Sequence, residues 1–269
     1  MTTLDRLVEI EEPLERGLLE ENYDQLTEES GDKCKGLVIG YISLIDSVLQ
    51  KNIIFIKQLT KVISNILKSD PDSLDGLLER VFQFSNEGIQ IIEKGLDGYT
   101  ENRLLSLKAH FFADQGDVSK ALFKKTQDVT WAEKWYSAYK TSADMSVNID
   151  PRHAAYAYGF AGDAARVLFE KTGDVTWAKK WYEAAYLSAY MTIIIDPRHS
   201  AVAFGIAGNA ATAVYKKTRQ RKWYNRAIES YKNLLEYHDS NPDPGMNNLS
   251  RYAELTIRFL ENKLPPLRK

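Results

Sequence analysis

The sequence is short of cysteine, proline and histidine, and each shortage removes a class of protein. Its one cysteine, Cys34, forms no internal disulfide and no cysteine-only metal site, and it fits a reducing compartment. With 8 prolines and 15 glycines among 269 residues, little of the chain is left for long structureless linkers, so helices with short turns are expected. The four histidines, His110, His153, His199 and His238, have no zinc-ligand spacing, with or without Cys34. A Gly-rich phosphate loop, a nucleophile elbow and an HExxH helix are all missing. The sequence therefore reads as a non-catalytic protein without metal or cofactor.

Charge of one sign is also lacking overall, since the net charge is only −2, which argues against a dominant polyanion-binding role. It is unevenly placed, however. Residues 1–30 hold ten acids against Arg6 and Arg16, whereas residues 216–226 hold Lys216, Lys217, Arg219, Arg221, Lys222 and Arg226 with no acid. The plain reading is a solvated face and a solvated turn. Long uncharged runs are absent too. The most apolar stretch, Leu37 to Leu67, contains Asp46, Lys51, Lys57 and Lys61 and so falls short of the roughly 18 uncharged residues a membrane span requires. The acidic N-terminus has no basic start followed by an apolar run, and the expectation is a cytoplasmic protein without a membrane partner.

What is present is a repeat. Residues 123–168 and 169–214 align without a gap and match at 27 of 46 positions. The anchors include Val129-Thr-Trp-Ala against Val175-Thr-Trp-Ala, Trp135-Tyr136 against Trp181-Tyr182, and Ile149-Asp-Pro-Arg-His153 against Ile195-Asp-Pro-Arg-His199. The register continues more weakly through Trp131, Trp177 and Trp223 and through Gly116, Gly162 and Gly208, so at least three units are present. Weakening toward the ends is what a stack requires, because terminal units turn a polar face to water.

Each unit is punctuated as two helices. Asp150-Pro151 and Asp196-Pro197 place a capping carboxylate before a proline at the first helical position, where the missing amide costs nothing. The helix that follows Asp150-Pro151 should stop near Thr172-Gly173-Asp174, where glycine adopts a left-handed turn. The next should begin at Thr130 or Thr176, and Thr130-Trp-Ala-Glu133 reads as a capping box. Spacings such as Trp131, Trp135, Ala138 and Ser142 bury one stripe in helical rather than strand rhythm.

In the order Gly162, Gly173-Asp174, Ala178, Asp196-Pro197, the unit resembles the tetratricopeptide repeat family. The resemblance covers about residues 105–265 and departs in length, since the family repeat is about 34 residues; each helix should be one to two turns longer. It implies an all-α, right-handed superhelical stack of antiparallel helix pairs. The expected organisation is a helical segment over residues 1–70 that either caps the stack or forms a small bundle, a degenerate pair over 71–104 opening at Asp70-Pro71, three repeats over 105–243, and a capping helix and tail over 244–269. Residues 34–68 fit one long helix or two.

Along the first helix of each unit the polar residues fall at steps of three and four, making one stripe. In the family that face lines a concave groove for extended peptides or partner helices. The resemblance therefore makes His110, Asp117, Lys120, Tyr156, Asp163, Arg166, Asn209 and Thr212 partner-binding candidates, with Ala113, Gly159 and Gly205 leaving room. Asp117 and Asp163 stand where a carboxylate clamp would want asparagine, so a peptide with basic or amide groups suits the face better. The plain alternative is a solvated face on which Asp163 with Arg166, and Asp117 with Lys120, are i,i+3 ion pairs.

Three further features have both a bland and a sharp reading. The repeat-locked tryptophans read as inter-repeat packing. The recurring Asp-Pro-Arg-His suggests an acid/base pair, yet its recurrence at each helix start argues for capping. Residues 215–226 mix cations with aromatics as a nucleic-acid contact would, which makes nucleic acid the alternative ligand. A third reading is a homo-oligomer in which residues 1–30 meet that basic turn of a neighbouring molecule.

Overall fold

The computed structural model describes residues 77–93, 100–241 and 244–263. The expectations for residues 1–70, the helix start at Asp70-Pro71 and the tail at Pro265-Pro266 lie outside the described residues. Among the described residues every regular element is helical. The chain divides into two compact units, Met1–Trp131 and Ala132–Lys269, with the division inside one helix.

In the first unit α1 (Leu77–Glu93) packs on α2 (Glu101–Thr126). Ile89 and Ile92 meet Leu107 and Phe111 in a small core. Gly88 permits this approach, since a Cβ there would stand 2.8 Å from the Phe111 ring. Gln115 donates to Asn86 Oδ1 at 2.8 Å, and Lys108 pairs with Glu93.

The second unit runs from within α3 (Val129–Ser146) through α4 (Pro151–Thr172), α5 (Val175–Thr192), α6 (Pro197–Thr218) and α7 (Arg221–Ser240). A short 3-10 turn, Pro244–Met246, then leads into α8 (Asn247–Lys263). From α4 onward each helix packs on the next, making a helical-repeat stack of the α-solenoid kind. The turns are too short to allow any other neighbour. The second unit's core is rich in alanine: Ala154, Ala161, Ala164, Ala165, Ala178, Ala207, Ala210 and Ala211 are all fully buried. Small side chains let the backbones approach, and the large ones fall between repeats. Trp135, Trp181 and Trp223 are buried, and Trp177 meets Tyr136 edge-on at 5.3 Å.

The helix ends follow the repeat. Asp150 Oδ1 accepts the amide of His153 at 2.9 Å, and Asp196 Oδ1 that of His199 at 3.0 Å, each ahead of a proline. At the other end Gln127, Gly173 and Arg219, one period apart, share a left-handed conformation with φ of 57°, 69° and 56°. The second helices start earlier than Thr130 and Thr176. Asp128 and Asp174 are the caps, accepting from the Thr130 and Thr176 amides at 2.9 and 2.8 Å. A carboxylate accepts an amide more strongly than a hydroxyl does, and the aspartate displaces the threonine from that role. The Thr176 hydrogen bonds also hold the Asp174 carboxyl below its ordinary pKa.

Candidate cleft of the second unit

Three helices that alternate with α5 and α7 along the chain, α4, α6 and α8, together with one side chain of α5, enclose a cleft of about 440 Å³. Four of the stripe residues line it: Asp163 and Arg166 from α4, and Asn209 and Thr212 from α6. The period brings them together, for Asp163 and Asn209 occupy the same position in successive units, as do Arg166 and Thr212. Lys216 continues the α6 stripe into the cleft.

Their commitments differ. Arg166 is held by Glu170 at 2.9 Å, one turn on, rather than by Asp163. Asn209 Oδ1 accepts the Tyr231 hydroxyl at 2.8 Å; burial pushes the Tyr231 pKa up, so the hydroxyl stays a donor. Thr212 is buried with its hydroxyl close to that of Tyr231, and the Trp181 indole N–H has no hydrogen-bond partner among the described residues. The Asp163 carboxylate and the Lys216 ammonium make no hydrogen bond or ion pair among the described residues. The cleft therefore offers one free charge of each sign above a floor of Trp181, Ile206 and Ala213, with Tyr252 as its far wall.

Tyr156 stands apart from the cleft. Its hydroxyl reaches toward Asp196 at 3.4 Å, and its ring meets the His199 ring edge-on at 4.9 Å. It braces one repeat on the start of the next. His110, Asp117 and Lys120 belong to the first unit, partly exposed along α2, where His110 Nδ1 lies 2.7 Å from the Ser106 carbonyl. Sequence reasoning overlooked Trp181, which reads as core, and Tyr252, which reads as part of a cap. The one signal for Tyr252 is its place in the stripe Leu249, Tyr252, Leu255, Phe259 of the last helix.

The recurring histidines close hydrogen bonds between helices. His153 Nε2 lies 2.9 Å from Ser142 Oγ, and His199 Nε2 lies 3.1 Å from Ser188 Oγ, one period on. Four of the six cations of residues 215–226 lie over the chain's own rings: Arg219 over Tyr215, Arg221 over Tyr224, and both Lys222 and Arg226 over Trp223. Among the described residues no group of three or more His, Cys, Asp or Glu could hold a metal ion. No described helix is long and apolar enough to cross a membrane.

No family model matches the sequence, and no curated protein matches it. Among solved structures the chain is similar to the crystal structure of BtubC (BKLC) from P. vanneervenii, at 10% identity over 90% of this chain and 96% of that chain, with a TM-score of 0.46.

Proposed function

We propose that the chain is a non-catalytic interaction scaffold of the tetratricopeptide type, with 46-residue repeats, and that its cleft takes an extended segment or helix of a partner protein. The observation that carries this reading is the uncommitted Asp163 carboxylate at the lip of the cleft, opposite an apolar floor. A side chain with a cation or an amide satisfies that carboxylate while its stem covers Trp181 and Ile206. The order Gly162, Gly173-Asp174, Ala178, Asp196-Pro197 supports the family reading, as do first and second helices of 22 and 18 residues, longer than the family's. Nucleic acid at residues 215–226 is the weaker reading, because bases would have to displace cations from rings that already hold them.

A displayed random-peptide library panned on the whole protein tests the proposal. Enriched peptides should share a Lys, Arg, Asn or Gln, and should lose at least about tenfold in affinity, roughly 1.4 kcal/mol, to the double variant Asp163→Lys, Arg166→Glu. Both side chains are partly exposed, so the variant should stay folded, losing only the Arg166–Glu170 pair, about 0.5–1 kcal/mol. Absence of enrichment, or peptides that bind both proteins equally, would overturn it.

A further inference from the structure

The cleft holds a second uncommitted charge, the Lys216 ammonium, near the end of α6. It arises because successive first helices bring different charges to the same places. Helix α4 carries Asp163 and, two turns on, Glu170; one period later α6 carries Asn209 and Lys216. Between one repeat and the next, one carboxylate gives way to an amide and the other to an ammonium. Of the two cations that line the cleft, Arg166 is held by Glu170 at 2.9 Å. The Asn209 amide oxygen is taken by the Tyr231 hydroxyl. That leaves Asp163 and Lys216 as the charges a ligand meets.

Their spacing follows from the stack. Short turns make α5 antiparallel to both α4 and α6, on which it packs. Helices α4 and α6 therefore run the same way, with equivalent positions at about the same level. Asp163 is level with Asn209, and Lys216 lies seven residues further along α6, about 10 Å at 1.5 Å per residue. This exceeds the roughly 8 Å over which physiological salt screens exposed charges, so neither charge answers the other. Residues 210–215 of α6 carry no charge, and the cleft has a negative pole, an uncharged middle and a positive pole.

We infer that Lys216 sets which segments the cleft accepts: those with a cation or amide for Asp163 and, about 10 Å away, an Asp or Glu for Lys216. The inference rests on the reading of the cleft as a site for a partner segment. An extended chain advances about 3.3 Å per residue, which places the acid three residues from the group that meets Asp163; in a helical segment the same distance is about seven residues. A segment with a second cation in place of the acid meets a like charge at Lys216, so the lysine selects by exclusion as well as by attraction.

The displayed random-peptide library, panned in parallel on the whole protein, on Lys216→Glu and on Lys217→Glu, tests this. Both lysines are exposed, so both variants should stay folded. Lys217 does not line the cleft, and its variant controls for the lost charge of the basic turn. Peptides from the wild type and from Lys217→Glu should add an Asp or Glu about three residues from their Lys, Arg, Asn or Gln. Those from Lys216→Glu should carry a Lys or Arg at that place instead. A wild-type peptide whose acid is changed to Lys should bind the wild type at least about tenfold more weakly and regain its affinity on Lys216→Glu. Peptides with the cation or amide but no spaced acid would overturn the inference and leave the cleft a partner site. The same peptides from all three proteins, or equal shifts in the two variants, would also overturn it. Absence of any enrichment would overturn the cleft reading and the inference with it.

Discussion

At Gln127, Gly173 and Arg219 the chain makes the same left-handed turn, yet only glycine adopts it without a clash between Cβ and carbonyl. Arg219→Gly should therefore raise stability by about 0.5–1 kcal/mol, visible as a higher melting temperature. Arg219→Ala keeps the Cβ and should give no gain; an equal gain from both would assign the effect to the side chain instead. His199 gives a second prediction. Burial lowers its pKa against the opposing pull of Asp196, so the unfolded chain binds the proton more tightly than the folded one. The stabilisation is complete above the ordinary histidine value of about 6.5 and is lost as pH falls through it toward the folded pKa. His199→Gln should flatten the decline in melting temperature on acidification from about pH 7.5 to about 5.5. An unchanged slope would place the sensitivity elsewhere.

The helices repeat in sequence more faithfully than they pack. At Gly159 and Gly162 an added Cβ would find its nearest neighbour at 3.6 and 3.7 Å, whereas at Gly205 and Gly208, one period later, it would stand 2.6 Å from Leu234 and from Tyr231. The cause is the residue opposite: Ser188 beside Gly159 is replaced one period later by Leu234 beside Gly205, and Ala185 beside Gly162 by Tyr231 beside Gly208. Gly162→Ala should be neutral or stabilising by up to about 1 kcal/mol through helix propensity. Gly208→Ala should cost about 1–3 kcal/mol, because Tyr231 is fully buried and has nowhere to move. Matched melts of the two variants check this, and equal effects would contradict it. Legibility divides in the same way. The helix starts at Asp150 and Asp196 were readable, being made by neighbouring residues, whereas the caps at Asp128 and Asp174 were displaced by two residues. Asp163, Arg166, Asn209 and Thr212 were readable as one face because the period aligns them. The stripe did not reveal that Tyr156 turns toward Asp196, nor that Tyr252 closes the cleft from a helix some 40 residues beyond Asn209. Side-chain direction and long-range contact leave no local mark on the chain.

At the scale of the molecule, the repeat brings together a cleft that no single repeat could form, with two charges left uncommitted. Stacked helices buried by alanine make a rigid frame, and the same period that builds the frame presents its polar stripe. The central claim is that this cleft, and not another face, engages a partner protein. A photo-crosslinking residue placed at Ile206 on the cleft floor, and separately at exposed Glu183 on α5 as a control, tests it in producing cells. The account predicts a protein adduct from the Ile206 position that disappears in the Asp163→Lys, Arg166→Glu background, with none from Glu183. Equal adducts from both positions, or an Ile206 adduct indifferent to the double variant, would contradict it.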